Sequence, residues 1–104
     1  MNEVTKISRY RLSPRQKRKF IAEFWKLVSS FRNSRDTAKF MENFLTPAEV
    51  VIFAKRWQAL KMLSRKKSYR EIRNVLKMSS TTLSRLANLL QEKEEFGKAV
   101  LARL

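Results

Sequence analysis

The sequence predicts an all-α fold, and three observations carry that prediction. One glycine and two prolines in 104 residues leave almost no punctuation for hairpins or tight strand connections. Apolar residues recur instead at spacings of three and four along most of the chain. Several of these runs open on Ser or Thr followed by Pro, or by Glu three residues on, which is how a capped helix begins.

Residues 1–12 carry Lys6, Arg9 and Arg11 with little periodicity and read as a flexible basic arm ahead of a single all-helical domain over 13–104. Ser13-Pro14 opens the first helix, with Ser13 as cap and Pro14 at the first position, where its missing N–H costs nothing. Phe20, Ile21, Phe24, Trp25, Val28 and Phe31 then form one broad stripe, expected to be buried in the core or against another chain. Asn33-Ser34 ends this helix, and Ser34 is expected to cap a short second one that turns Phe40, Met41 and Phe44 inward. Thr46-Pro47-Ala48-Glu49 is the strongest helix start, a capping box with Pro at the first position. It leads a third helix to about Leu63, with Val50, Phe53, Ala54, Trp57 and Leu60, and Met62 or Leu63, as its inner side.

After the cationic break Ser64-Arg65-Lys66-Lys67, the run Ser68-Tyr69-Arg70-Glu71 reads as a second capping box and opens a short helix to about Leu76. Lys77-Met78-Ser79 separates it from a helix that starts at Ser80-Thr81-Thr82 and carries Leu83, Leu86, Ala87 and Leu90. Gln91 to Leu104 is helical again, with Phe96, Val100, Leu101 and Leu104 on one face and Gly97 weakening its middle. The six segments form five to six helices without linker or repeat.

Composition narrows function. Twenty-four Lys and Arg against nine Asp and Glu leave a net charge of +15, so the chain is built to meet a polyanion. With 43% hydrophobic and 11% aromatic residues it is too apolar for a disordered basic tail. There is no Cys and no His, and the nine acids are scattered, so neither a metal centre nor a cofactor is expected and enzyme chemistry finds no nucleophile–base pair. No apolar run approaches the ~18 residues of a membrane span. Met1 to Lys6 also lack the apolar stretch of a signal peptide, so a cytoplasmic chain is expected.

Two short helices joined by three residues follow the helix-turn-helix plan over about 68–91. Ile72 and Leu76 must face Leu83 and Leu86, with Met78 plugging the corner. Ser79, Ser80, Thr81, Ser84 and Arg85 then lie outward, at the end that enters a major groove. Small hydroxyls there permit close approach, and Arg85 can fork onto a guanine or grip a phosphate. Residues 55–85 hold ten cations and the single acid Glu71, a local +9; Lys66, Lys67, Ser68, Tyr69, Arg70 and Lys77 are therefore expected to join the contact surface. Residues 1–35 carry a further +8, more than a helix-turn-helix demands.

Leu45-Thr46-Pro47-Ala48-Glu49, Lys55-Arg56-Trp57, Lys67-Ser68-Tyr69-Arg70-Glu71-Ile72 and Thr82-Leu83-Ser84-Arg85, at these separations, resemble the Trp repressor family over about residues 34–92. The resemblance implies a helical chain intertwined with a second copy into a homodimer. It also implies binding of double-stranded operator DNA with recognition helices about 34 Å apart. It implies an effector pocket too, for which Thr46, Arg56 and Arg85 match. Where the family has a glycine and a later serine in that pocket, this chain has Leu86 and Leu89. A leucine fills space meant for an aromatic ring, so tryptophan control is not expected, and any co-repressor would be another small molecule. Lys77 replaces the family's turn glycine, at a cost of about 1 kcal/mol if the backbone is left-handed there. Arg73 replaces a small residue between the helices and must reach outward.

The competing readings are a non-specific architectural or RNA-binding protein relying on charge alone, and a repressor answering to a remodelled pocket. For the aromatic stripe of the first helix they are a stacking platform for single strands and a basic amphipathic helix lying on anionic membrane. The stripe's single helical face favours burial over both.

Overall fold

A computed structural model of the chain describes residues 11–104, and every element among them is helical. In order they are α1 (Pro14–Ser29), α2 (Ser34–Phe44), α3 (Pro47–Ser64), α4 (Tyr69–Leu76), α5 (Ser80–Glu92) and α6 (Glu94–Leu101). The basic arm expected over 1–12 lies outside the described residues except for Arg11 and Leu12, which are exposed and outside any helix. The chain divides into two compact units, one up to Asn43 and one over Phe44–Leu104.

In the first unit α1 begins as its sequence requires. The Ser13 hydroxyl accepts from the Gln16 N–H at 3.1 Å, while the Gln16 side chain accepts from the Ser13 N–H at 3.1 Å. The helix stops at Ser29, a turn earlier than the stripe suggested, and Ser30 closes it with its N–H and hydroxyl on the Leu27 carbonyl. The cap of α2 is Asn33 rather than Ser34. Its Oδ1 accepts from the Asp36 N–H at 2.8 Å and its Nδ2 donates to the Asp36 carboxylate at 3.2 Å. An amide can accept from the helix and donate back to the same residue, which a serine hydroxyl at the next position is not placed to do. Phe31 and Phe40 pack at 5.2 Å between ring centroids, and Phe24 and Trp25 at 5.3 Å.

The apolar stripe of α1 is not a buried face within this chain. No residue of α1 is buried; Phe20, Ile21 and Trp25 are 49%, 47% and 61% exposed, and Phe24, Val28 and Phe31 only half-buried. In α2 Met41 is half-buried, while Phe40 and Phe44 stay exposed. Spacing shows that a face is apolar, but not what covers it.

The second unit holds the core. Ala59, Leu60, Ile72, Leu83, Leu86 and Val100 form one buried cluster, with Trp57, Met62, Leu63, Leu76, Met78, Leu89 and Leu90 packed against it. α3 is the backbone of this unit and touches α4, α5 and α6. It starts on the Thr46–Glu49 capping box and ends in a Schellman turn. There the Lys66 N–H bonds to the Leu63 carbonyl and the Lys67 N–H to the Met62 carbonyl, both at 3.0 Å, with Lys66 left-handed at φ 62°. Only the C-terminal half of α3 supplies the core: Ala59 and Leu60 are buried, Val50 is half-buried, and Phe53 and Ala54, expected inside, are exposed beside Val51 and Ile52.

α5 and α6 meet at Lys93, a single extended residue that breaks the helical run expected from Gln91 onward. A Cβ on Gly97 would stand 3.2 Å from the Leu90 carbonyl oxygen, so the glycine lets α6 close onto α5. Of the apolar face expected on α6, Val100 alone is buried; Phe96, Leu101 and Leu104 are exposed. No helix among the described residues is long and apolar enough to cross a membrane.

Leu83 is fully buried at the centre of the cluster. Leu83→Ala is expected to cost about 2–5 kcal/mol, read as a lower urea midpoint. Val75→Ala, at a site 62% exposed, should stay within about 0.5 kcal/mol.

Candidate nucleic-acid interface

α4 and α5 form the bihelical corner. Ile72 and Leu83 are fully buried against each other's helices, Leu86 is 3% exposed, and Leu76 and Met78 close the corner as half-buried neighbours. α4 is capped by Ser68, whose hydroxyl accepts from the Glu71 N–H at 3.1 Å. The reciprocal Glu71 bond of a full capping box is not among the bonds of the described residues. α4 ends at Lys77, whose N–H bonds back to the Arg73 carbonyl at 2.9 Å with φ 53° and ψ 50°. The left-handed turn that the family meets with glycine is therefore present, and a lysine adopts it.

The chain then extends through Met78 and Ser79 into α5. The helix starts at Ser80, as expected, and Ser79 caps it: its hydroxyl accepts from the Thr82 N–H at 3.2 Å and donates to the Thr82 hydroxyl at 3.0 Å. Two of the small hydroxyls thus build the helix start. Ser80, Thr81, Ser84 and Arg85 are exposed on the same end of α5, with no polar partner among the described residues. Buried Leu83, Leu86 and Ala87 occupy the opposite side of the helix.

The flanking cations are also exposed. Lys66 and Lys67 lie in the turn after α3, and Tyr69 and Arg70 on the first turn of α4, Tyr69 at 45% exposure. Among the described residues the ion pairs belong to α6, where Lys98 meets Glu94 and Glu95, so none of the cations around the corner is paired with a carboxylate. Among the described residues the two with left-handed backbone, Lys66 and Lys77, sit at helix C-termini, where a positive side chain is favoured by the helix dipole.

Of the three effector-pocket residues, Arg56 lines a cleft among the described residues, and Thr46 and Arg85 stand outside that cleft. Thr46 is committed to capping α3. Arg56 is half-buried, its guanidinium 5.9 Å from the centre of the Phe53 ring and its Nε buried without a hydrogen-bond partner. It lines a cleft of about 270 Å³ with Ile52, Lys55, Lys77, Met78, Ser79 and Thr82, which includes neither Thr46 nor Arg85. Lys55 Nζ donates to the Lys77 carbonyl at 3.3 Å and ties α3 to the turn. Three cations and two hydroxyls at one rim suit an oxyanion such as a phosphate. Sequence reasoning counted Lys55 in the charge but missed its bond to the turn; its place one residue before Arg56 was the only signal.

A second cleft, of about 480 Å³, lies behind the corner and is lined by Leu63, Lys66, Tyr69, Ala87, Leu90 and Leu101 among others. Leu86 is itself part of the core, and Leu89 packs against it. Among the described residues no group of three or more Asp or Glu is placed to hold a metal.

Lys77→Gly is expected to stabilise the fold by about 1 kcal/mol, because glycine adopts the left-handed turn without strain. A rise in the denaturant midpoint with an unchanged slope would register it.

No curated protein and no solved structure matches this chain at a significant level. A family model described as Trp repressor protein matches residues 19–104, through all of the corner and its supporting helices. The all-helical architecture, the capped start of α3 and the left-handed joint between α4 and α5 agree with that match, and the chain belongs to the Trp repressor family.

Proposed function

We propose that this member of a family of DNA-binding transcriptional regulators is a repressor that binds a pseudo-palindromic operator in double-stranded DNA as a homodimer. The observation that carries the reading is the sidedness of α5. Its inner side is locked by Leu83, Leu86 and Ala87, while Ser80, Thr81, Ser84 and Arg85 stand bare at the end that would enter a major groove. Lys77 and Ser79 adjoin that end, while Lys66, Lys67, Ser68, Tyr69 and Arg70 stand at the start of α4, Lys66, Lys67 and Tyr69 facing the cleft beside Ala87 and Leu90. In this reading all seven supply phosphate contacts, through side chains or, for the two capping serines, through the helix starts they hold. Arg85 is the base reader of the set, since a guanidinium can fork onto a guanine.

The apolar surfaces support the second copy. Trp25, Ile52, Phe53 and Leu101 are 61%, 46%, 49% and 62% exposed, large apolar side chains that a second copy could cover. A twofold homodimer covers them with the same residues of the other copy and sets two recognition helices about 34 Å apart. Tryptophan is not the effector in this reading, because Leu86 and Leu89 belong to the core cluster and its packing. The protein works in the cytoplasm, where its duplex is.

The charge-only reading keeps one supporting observation, the +8 over residues 1–35. Selection of bound duplexes from a random library separates the two. The operator reading expects one enriched pseudo-palindrome that outcompetes random duplex by well over tenfold; a preference below that favours charge alone.

Arg85→Ala is expected to weaken operator binding by about 1–3 kcal/mol and to relax preference at one position of each half-site. Sedimentation equilibrium of the purified chain is expected to give about twice its 12.4 kDa mass. A monomer at micromolar concentration would remove the twofold operator.

A further inference from the structure

The charge on α1 has no task in the reading above. Arg15, Lys17, Arg18 and Lys19 fall within five residues, and the first acid of α1 is Glu23. At 100° per residue, Lys17 falls among Phe20, Phe24, Leu27 and Val28, while Arg15, Arg18, Lys19 and Lys26 fall on the other side of the helix, with Trp25 at its edge beside Arg18. The stripe runs for about 16 Å. All four residues are exposed, and none is paired with a carboxylate among the described residues.

This arrangement opposes the helix's own electrostatics. A helix N-terminus carries partial positive charge and favours acids. α2, α3, α4 and α6 follow that preference, with Asp36, Glu49, Glu71 and Glu94 in their first turns. α1 and α5 have no acid there, and α1 places cations instead. Solubility alone does not account for this, since acids at the same positions would serve it and stabilise the helix as well.

We infer that the cationic side of α1 is a second duplex-binding surface, which grips the phosphate backbone of DNA without reading its sequence. The inference rests on the DNA-binding role proposed above and adds to it a surface separate from the helix-turn-helix. The partner is a duplex because the chain already presents one element shaped for a groove. A row of guanidinium and ammonium groups along a rigid helix complements a row of phosphates.

The test compares the full chain with the triple variant Arg15→Gln, Arg18→Gln, Lys19→Gln, on a selected operator duplex and on random duplex, across a range of salt. The triple variant is expected to bind both duplexes more weakly, by about tenfold or more near 0.1 M salt, with their ratio unchanged. Its plot of log K against log salt should be shallower by roughly 2–3, at about 0.9 per lost phosphate contact. The single variant Arg15→Gln should remove about one unit of slope without lowering the melting temperature, which covers the case where the triple variant folds poorly. The charge-keeping pair Arg18→Lys, Lys19→Arg should retain the slope, and so should Lys98→Gln on α6.

An unchanged slope in a folded triple variant overturns the inference. So does a triple variant that keeps its duplex binding but loses binding to vesicles containing phosphatidylserine, which would make this a membrane-facing side. A parent chain that binds no duplex sinks both this inference and the function proposed above. A selective parent whose triple variant matches it in slope sinks this inference alone. If Arg85→Ala leaves site preference untouched while the triple variant flattens the slope, the recognition face fails and the α1 surface stands.

Discussion

The burial of Ile72 and Leu83 in one cluster carries the rest of this protein. Both side chains are fully buried, one on each arm of the helical corner. Placing both in the same small volume constrains the angle at which α5 can leave the turn. Leu60 and Ala59 of α3 and Val100 of α6 close around that pair, so the corner is also the centre of the hydrophobic cluster. A small unit can afford one such cluster. The fold and the proposed recognition face therefore depend on the same residues: whatever loosens the core also moves Ser80, Ser84 and Arg85.

Several local preferences are given up around this centre, all toward positive charge. Among the described residues lysine occupies both left-handed positions, Lys66 and Lys77, although an L side chain is strained there. The first turns of α1 and α5 forgo acids. Each choice costs a little stability, and each adds or preserves charge on the surfaces assigned to the phosphate backbone. The Lys55 bond to the Lys77 carbonyl shows one way the structure recovers part of that cost, by tying the strained turn to α3.

The largest departures from expectation concern burial rather than helix placement. The stripe on α1, the first half of α3 and the end of α6 all have apolar residues at helical spacing, and each keeps large side chains exposed. Periodicity reports the pattern of one chain, whereas burial depends on what lies opposite. On α3 the apolar residues surround the helix near Val51, Ile52 and Phe53, so no single inner side was there to be read. The cap of α2 shows the same limit on a smaller scale. Asn33, one residue earlier than expected, holds α2 because a side-chain oxygen must reach the N–H three residues ahead.

Helix order, the Thr46 and Ser13 starts and the inner face of the corner were legible from residue types and spacing, whereas the left-handed joint at Lys77 came only from the family resemblance, since nothing about a lysine announces it. The exposed hydroxyl end of α5 was legible too, since its opposite face had to be buried. The folded chain alone decided which apolar faces it covers itself, that Arg56 shares a cleft with Lys55 and Lys77, and that Gly97 admits α6 against Leu90. Those outcomes depend on side chains from distant elements competing for one volume, and no local rule orders that competition.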